Sequence, residues 1–329
     1  MTDETRLDAP PAEGTPTRLD RPPGADPLAT RLDRPGDAAA DEGTLPDAEF
    51  APPPGSSLYN LPAALRDKFR IVRVLPAGGA EAEIMILEGM DTGVRVVAKI
   101  YRPGIVPKTE VLERVSKVAF RHVVHLVAHG FSDGIGYELM EYCGAGSLRE
   151  FMRGGPLPGD VLRQVVGELA EALGAIHDCH VIHRDLKPEN VFVQSDGTPK
   201  ILDFGLARLE MASVEDSDST PVKTGPGVML GTVPYMSPEQ VCGLPVDTRS
   251  DLFSFGCVMY GMLTSKVIFA RRHIVDSMSA ILKDPPPSLA SVGVDAPAEL
   301  EAVLLRCVHK DREQRYQTAD EVAAALAAL

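Results

Sequence analysis

Four polar side chains in the second half of the chain are spaced so that together they could transfer a phosphoryl group. Lys187 follows Asp185 by two residues. Asn190 lies five residues after Asp185, and Asp203 lies thirteen residues further on. Carboxylate and amide oxygens on separate short loops suit Mg²⁺, which completes its octahedron with water and phosphate oxygens. A base, a cation and two metal ligands are what phosphoryl transfer requires of a protein, so we predict that chemistry here.

The residues around these four match two motifs of one family at every fixed position. Residues 183–190 read His-Arg-Asp-Leu-Lys-Pro-Glu-Asn, which resembles the catalytic loop H-R-D-L-x-x-x-N, and residues 203–205 read Asp-Phe-Gly. Both are motifs of eukaryotic-type (Hanks-type) protein kinases, and they occur in the family's order. Lys187 and Thr232 resemble the serine/threonine class rather than the tyrosine class. The absence of Trp and the many Ala residues are typical of a bacterial member.

This resemblance implies an α+β, bilobal protein-kinase fold. It covers residues 60–329 and implies a small β-rich N-lobe at 58–141, a hinge at 142–146 and a larger, mostly helical C-lobe at 147–329. The cofactors implied are ATP and Mg²⁺.

The resemblance also assigns a role to each polar residue of the catalytic loop. Asp185 is expected to orient the substrate hydroxyl and accept its proton, and Lys187 to stabilise charge on the moving phosphoryl group. Asn190, the third catalytic residue, is expected to hold Mg²⁺ together with Asp203. Asp203 is thereby expected to contact the nucleotide as well.

Three short apolar runs before this region predict an antiparallel β-meander. They are Phe69–Leu75, Glu83–Leu87 and Val94–Ile100. Lys99 ends a Val-Ala-Lys sequence in the third run, which resembles the V-A-I-K strand of the family. Lys99 is therefore expected to contact the α and β phosphates of ATP.

The loop between the first two runs departs from the family pattern. A kinase carries G-x-G-x-x-G here, because bare backbone N–H groups must lie close over the phosphates. Pro76 occupies the first glycine position, whereas Gly78 and Gly79 remain and are expected to contact the nucleotide. Glu81 and Glu83 place negative charge near the expected phosphates. An ordinary hairpin turn at the two glycines is the alternative.

The segment after the third run should supply a carboxylate that orients Lys99. Glu110 and Glu113 share one face of a predicted helix over Thr109–Val115, since they are three residues apart. Counting back from the segment that begins at Phe120, which sits where the family has H-P-N-I-V, favours Glu110. Glu113 is then expected to be a solvated surface charge.

Residues 136–143, Gly-Tyr-Glu-Leu-Met-Glu-Tyr-Cys, resemble the fifth strand and hinge of a kinase. The family binds adenine through backbone groups at the positions of Glu141 and Cys143. Met140 is expected to line the back of the purine pocket. A plain core strand is the alternative, and it is compatible with adenine binding because adenine uses the backbone.

Apolar residues at helical spacing predict long helices in the large lobe, over 161–177 and over 249–263. The resemblance implies that Asp251, on the second helix, braces the backbone of the catalytic loop. It also implies an ion pair between Arg315 and Glu239.

The polar stretch from Gly205 to Gly231 corresponds to the activation segment of the family. Arg184 could help to bind a phosphate on this segment. We therefore predict activation by phosphorylation, at Thr220 and Thr224 in preference to Ser217 and Ser219. A solvated loop without a switch is the alternative.

Composition restricts the partners and the location. The chain carries 33 basic and 47 acidic residues, a net charge of −14, which argues against a nucleic-acid surface and against docking on anionic lipid. The 5 cysteines are scattered without C-x-x-C spacing, which is typical of a reducing compartment. We expect a soluble, cytoplasmic protein without membrane insertion, because no long apolar run or signal peptide is present.

The first 57 residues are expected to form a disordered acidic tail, rich in Pro and Ala. The tetrapeptide Thr-Arg-Leu-Asp begins at Thr5, Thr17 and Thr30, and a looser copy begins at Thr44. Threonine three residues before Asp resembles the phosphothreonine motif read by forkhead-associated domains. We hypothesise that phosphorylation of these threonines recruits such a domain. A low-complexity linker that grew by duplication is the alternative.

The sequence therefore predicts an ATP- and Mg²⁺-dependent serine/threonine protein kinase, expected to phosphorylate itself as well as protein substrates. A pseudokinase that serves as a scaffold and presents the tail is the competing hypothesis, supported by the altered glycine-rich loop. A small-molecule kinase is less favoured, because a Ser-Pro-Glu motif at residues 237–239 closes the segment that binds protein substrates in the family.

Overall fold

The structure is a computed structural model that describes residues 61–75, 82–105, 107–118, 120–204, 208–209 and 232–329. The predicted tail at 1–57 with its four threonines, the glycine pair Gly78 and Gly79, and the predicted phosphorylation sites Thr220 and Thr224 lie outside the described residues. The hypotheses about them stay predictions.

One five-stranded antiparallel sheet dominates the small lobe. Its strands are β1 (Phe69–Leu75), β2 (Ala82–Gly89), β3 (Arg95–Tyr101), β4 (Leu126–Ser132) and β5 (Ile135–Glu141). They lie in the order β1-β2-β3-β5-β4. The predicted meander of the first three strands is confirmed.

Alternation along β3 decides which side chains can reach the site. Val96, Ala98 and Ile100 are buried in the core of the small lobe. Because successive side chains of a strand point to opposite faces, Lys99 and Tyr101 lie together on the other face.

Two short helices accompany the sheet, α1 (Ala63–Arg66) and α2 (Thr109–Val115). Val111, Leu112 and Val115 of α2 are buried against the main core. The apolar face of α2 therefore points inward and its charged residues point outward.

Helices make up most of the large lobe. They are α3 (Leu148–Arg153), α4 (Gly159–Asp178), α5 (Pro238–Val241), α6 (Thr248–Thr264), α7 (Ile274–Lys283), α8 (Ala298–Cys307) and α9 (Ala319–Ala327). The two long core helices expected from the sequence are confirmed as α4 and α6. Helix α6 is buried from Ser250 to Thr264, so it forms the centre of the lobe. It begins where the side chain of Asp247 accepts the N–H of Arg249, an N-cap that satisfies one of the helix's unpaired donors.

Short strands hold the loops of interest between them. They are β6 (Gly146–Ser147), β7 (Val181–Ile182), β8 (Val191–Val193), β9 (Pro199–Ile201) and β10 (Arg208–Leu209). Strand β8 pairs with β6 and β9, and β7 pairs with β10. The loop 183–190 therefore starts and ends in paired backbone, and β9 delivers the chain to Asp203.

A β-rich small lobe followed by a mostly helical large lobe confirms the predicted α+β, bilobal fold. In the part of the chain that the structure describes, every helix is too short or too polar to cross a membrane.

Candidate active site

The catalytic-loop candidates Asp185 and Lys187 form a buried ion pair. The Nζ of Lys187 lies 3.0 Å and 2.8 Å from the two carboxylate oxygens of Asp185. The same ammonium donates to the hydroxyl of Thr232 at 2.8 Å. Lys187 therefore links the loop to the residue that follows the predicted activation segment, and it balances the charge of Asp185.

Asn190 is tied to the same carboxylate. Its side-chain nitrogen donates to the backbone oxygen of Asp185 at 2.8 Å and to Oδ2 of Asp185 at 3.0 Å. Since the nitrogen is used in these bonds, the amide oxygen is the atom of Asn190 suited to a metal ion. The backbone oxygen of Asn190 accepts the N–H of Leu202 at 2.8 Å, which fixes the loop beside Asp203.

Asp251, on helix α6, braces the backbone of this loop, as the resemblance implied. Its two oxygens accept the backbone N–H groups of His183 and Arg184, each at 2.8 Å. Nε2 of His177 lies 2.9 Å from the same carboxylate, which is fully buried. Burial alone would raise the pKa of Asp251, but the hydrogen bond from His177 and the other nearby donors hold it below its usual value. The carboxylate is therefore charged and fixed.

The side chain of His183 connects the loop to the Asp-Phe-Gly motif. Its Nε2 lies 3.0 Å from the carbonyl oxygen of Leu202, and its Nδ1 accepts the N–H of Asp185 at 3.3 Å. This pattern requires the proton on Nε2. The ring also meets Phe204 edge-on, with centroids 5.1 Å apart.

Two residues of the site adopt left-handed backbone conformations. Arg184 has φ = 67° and Asp203 has φ = 66°. Residues other than glycine rarely adopt this region, and strain of this kind concentrates at functional sites. The hydrogen bond that the backbone of Arg184 donates to Asp251 and the ion pair of Asp203 with Lys99 supply the compensation in this chain.

Asp203 and Lys99 bring the two lobes together. The Nζ of Lys99 lies 2.6 Å from Oδ1 of Asp203, although the residues are 104 positions apart. The same ammonium lies 5.5 Å from the centroid of the Tyr101 ring. Lys99 is thereby joined to Asp203, whose neighbour Leu202 is hydrogen-bonded to Asn190 and His183 of the loop.

The structure does not form the predicted pair between Glu110 and Lys99. The side chain of Glu110 is 72% exposed, and its carboxylate lies 3.9 Å from Arg114 of the same helix. Glu113, the alternative, is exposed as well. The physical reason is the burial of the apolar face of α2, which turns both glutamates toward solvent. Neither is placed to orient Lys99 in this conformation.

Of the hinge candidates, Glu141 ends β5 and Cys143 lies two residues beyond it. The carboxylate of Glu141 accepts the backbone N–H of His125 at 2.6 Å, Nζ of Lys200 at 2.6 Å and Nε2 of Gln194 at 3.0 Å. Its side chain is thus committed to holding the hinge against neighbouring strands. Burial raises the pKa of the Cys143 thiol to about 12, so this thiol is neutral. Both residues are therefore suited to contact a base through their backbone groups only.

Glu138 is a buried acidic residue that the sequence did not single out. It lies on β5 directly opposite Lys99 of β3, and it is only 3% exposed. The hydroxyl of Tyr101 donates to its carboxylate. The signal in the sequence was an acidic residue in an otherwise apolar strand, Tyr-Glu-Leu-Met, but only the register shows that it faces Lys99.

A further ion pair fixes the large lobe just after the predicted activation segment. Arg315 donates from both terminal nitrogens to Glu239, at 2.8 Å and 2.9 Å. This confirms the predicted pair and its structural character, because both residues are buried.

The polar side chains around Asp203 fit the chemistry of a magnesium–nucleotide complex. Asp203 and Asn190 offer hard oxygen ligands, which Mg²⁺ prefers, and Lys99 offers a cation for phosphate oxygens. The ends of the hinge offer backbone donors and acceptors.

Comparison with known proteins identifies relatives of the same kind. The sequence pattern described as the protein kinase domain matches residues 99–325, more than half of the chain. The chain is 35% identical over 277 residues to the serine/threonine-protein kinase pkn2 of Myxococcus xanthus, an alignment that covers 80% of this chain and 32% of that protein. It is 37% identical over 193 residues to PknB of Mycobacterium leprae, covering 58% of this chain and 30% of that protein.

A third relative is the serine/threonine-protein kinase PknB of Mycobacterium tuberculosis. It is 30% identical over 279 residues, covering 80% of this chain and 43% of its own length. The chain thus spans less than half the length of these curated relatives. The matched kinase-domain pattern begins at Lys99, after the loop that carries Gly78 and Gly79.

Proposed function

Because the chain belongs to the protein kinase family, and to its bacterial Hanks-type serine/threonine branch, we propose that it transfers the γ-phosphoryl group of ATP to serine or threonine hydroxyls of proteins. The observation that carries the proposal is that Lys99 contacts Asp203 while Asp185, Lys187 and Asn190 share one hydrogen-bond network.

Asp185 acts on the substrate hydroxyl in this proposal. Its carboxylate is held by Lys187 and Asn190 and is ready to orient the hydroxyl and accept its proton. Lys187 contributes the positive charge that offsets negative charge on the phosphoryl group during transfer. Thr232 keeps that ammonium in place.

Lys99, Asn190 and Asp203 hold the nucleotide and its metal ion in this proposal. Lys99 binds phosphate oxygens, and the oxygens of Asn190 and Asp203 bind Mg²⁺. Bound Mg²⁺–ATP supplies the phosphoryl group and neutralises its charge. The backbone of Glu141 and Cys143 binds the base.

Transfer of label from ATP tests the proposal. Wild-type protein is incubated with γ-labelled ATP and Mg²⁺, with a generic protein substrate present, and compared with Asp203→Ala and the exposed control Asp276→Ala. We expect label in the wild type and in Asp276→Ala but not in Asp203→Ala. Equal label in all three, or in none, contradicts the proposal.

A pseudokinase scaffold is the second candidate. The glycine-rich loop lacks its first glycine, and the matched kinase-domain pattern begins only at Lys99. Titration with a labelled ATP analogue, without turnover, measures nucleotide binding by fluorescence. This measurement separates the kinase from the scaffold. Nucleotide binding without any label transfer favours the scaffold.

The tail supports a proposal about regulation. We propose that Thr5, Thr17, Thr30 and Thr44 are phosphorylated, by this chain or by another kinase, and then bind a forkhead-associated domain. Phosphopeptide mapping after incubation with ATP and Mg²⁺ tests self-modification. Finding no phosphate on these threonines excludes it. The cytoplasmic location predicted from the cysteines stays a prediction.

A further inference from the structure

Glu138 stands in a row of charged and titratable side chains that crosses three strands. It pairs in register with Lys99 on β3 and with His129 on β4. Side chains directly opposite one another in an antiparallel pair share a face and lie about 5 Å apart at Cβ. Glu138 on β5 is therefore a direct neighbour of Lys99 on β3.

Tyr101 connects the same two residues. It lies two positions after Lys99, so it shares that face. Its hydroxyl donates to the carboxylate of Glu138, and its ring lies 5.5 Å from Nζ of Lys99. Tyr101 and Glu138 are both buried. The carboxylate is thus held in one orientation on the face of the sheet that it shares with Lys99.

A carboxylate buried among strands needs a nearby cation, because removal from water costs several kcal/mol unless the charge is compensated. Burial outweighs the charge of Lys99 and the hydrogen bond from Tyr101, so the pKa of Glu138 lies above its usual value. Lys99 is the cation directly opposite Glu138 on β3, and His129 is the titratable neighbour on β4.

The carboxylates of α2 do not take this place. Glu110 and Glu113 are both exposed, as described above. Asp203 does contact Lys99, but its oxygens are also the proposed ligands of Mg²⁺. The two glutamates of α2 are therefore not placed beside Lys99, whereas β5 places Glu138 directly opposite it.

We propose that Glu138 is the positioning residue for Lys99, and that it replaces a helix glutamate in directing the lysine toward the phosphates of the nucleotide. The inference rests on the proposed kinase function. It assigns Glu138 no contact with the substrate, since it acts through Lys99.

Charge removal at Glu138 tests the inference. Glu138→Gln keeps an acceptor for Tyr101 but lacks the negative charge, and Glu138→Asp restores the charge. The rival arm is a Glu110→Gln/Glu113→Gln double variant, and Glu171→Gln on the exposed face of α4 is the matched control. Each protein is assayed for kcat and KM for ATP, for affinity for a non-hydrolysable ATP analogue with Mg²⁺, and for melting temperature.

We expect Glu138→Gln to lose at least tenfold in kcat/KM for ATP and at least threefold in analogue affinity. Its melting temperature should be unchanged or higher, because a buried charge has been removed. Glu138→Asp should recover part of the loss, and Glu171→Gln should match the wild type. A loss confined to the α2 double variant overturns the inference and assigns the role to the helix.

A double-mutant cycle separates positioning from general damage. In a Lys99→Met background, Glu138→Gln should change analogue affinity less than twofold, since its effect passes through Lys99. An equal loss in both backgrounds overturns the inference. If the wild type neither binds the analogue nor transfers phosphate, the proposed function itself fails. If the wild type does both and Glu138→Gln matches it, only the role of Glu138 fails.

Discussion

Removing the charge of Glu239 should destabilise the large lobe strongly at neutral pH and less in acid. The side chains of Glu239 and Arg315 are 6% and 0% exposed, and they meet through two hydrogen bonds of 2.8 Å and 2.9 Å. The hydroxyl of Ser250 also donates to Glu239. Glu239→Gln leaves the guanidinium buried opposite a neutral group.

The expected magnitude follows from the proton affinity of Glu239. Burial alone would raise its pKa, but the hydrogen bonds and charge of Arg315 outweigh burial and lower the pKa from 4.5 to about 2. Because one pKa unit corresponds to about 1.4 kcal/mol, the charged pair contributes roughly 3 kcal/mol to folding at pH 7. Breaking buried ion pairs by removing one partner generally costs about 3–5 kcal/mol, which agrees.

The sign of the pH dependence is fixed by the lowered pKa in the folded state. The contribution is complete above the pKa of the unfolded chain and is lost as the pH falls toward the folded value. The difference in unfolding free energy between the wild type and Glu239→Gln should therefore shrink from about 3 kcal/mol at pH 7 to about 2 kcal/mol at pH 3.5.

Urea unfolding of both proteins at the two pH values measures this difference. Glu313→Gln is the matched control, because the carboxylate of Glu313 is 63% exposed although it lies 2.9 Å from Arg249. It should cost less than about 1 kcal/mol, as exposed ion pairs do. A cost at Glu239 no larger than that of the control, or one that grows in acid, would refute the reasoning.

Three further predictions concern the site and its support. Asp185→Asn should lower transfer by about 10²–10⁴-fold with nucleotide affinity unchanged, as measured by steady-state kinetics and analogue titration; wild-type rates would show that Asp185 is not the base. Asp251→Asn should lower kcat and reduce the free energy of unfolding in urea by about 1–3 kcal/mol, because the backbone N–H of His183 or of Arg184 loses its acceptor. An unchanged kcat would contradict the bracing role. Burial lowers the pKa of Lys310 to about 8, so the unfolded chain binds the proton more tightly and stability should rise between about pH 8 and 10. Lys310→Met should abolish this rise, measured as melting temperature. A rise that persists in the variant would exclude Lys310 as its source.

The arrangement of the loop 183–190 could be predicted closely because its polar residues are near neighbours in the sequence. Asp185, Lys187 and Asn190 lie within six positions, and a loop that begins and ends in paired strands can bring them together in few ways. The contact between Asp203 and Lys99 spans 104 positions, but both residues belong to recognisable motifs. Local pattern and motif order were sufficient for these residues.

The helix glutamate was less predictable, because spacing alone does not say which face of a helix is buried. Glu110 and Glu113 share a face, and the sequence favoured Glu110 by counting from a neighbouring motif. The structure shows that Val111, Leu112 and Val115 take the inward face of α2. Burial of three apolar side chains is worth several kcal/mol, more than one partly solvated ion pair could recover by turning the helix.

The proposed role of Glu138 could not have been inferred from the sequence, because it depends on the register between two strands whose paired residues are 37 to 45 positions apart. A shift of one residue between β3 and β5 would place Leu139 opposite Lys99 and turn the apolar residues of β3 away from their core. The pairing of Ala98 with Leu139 inside that core excludes the shift. The apolar core of the small lobe therefore fixes which side chain faces Lys99, so packing that takes no part in the reaction places a carboxylate beside the lysine of the candidate site.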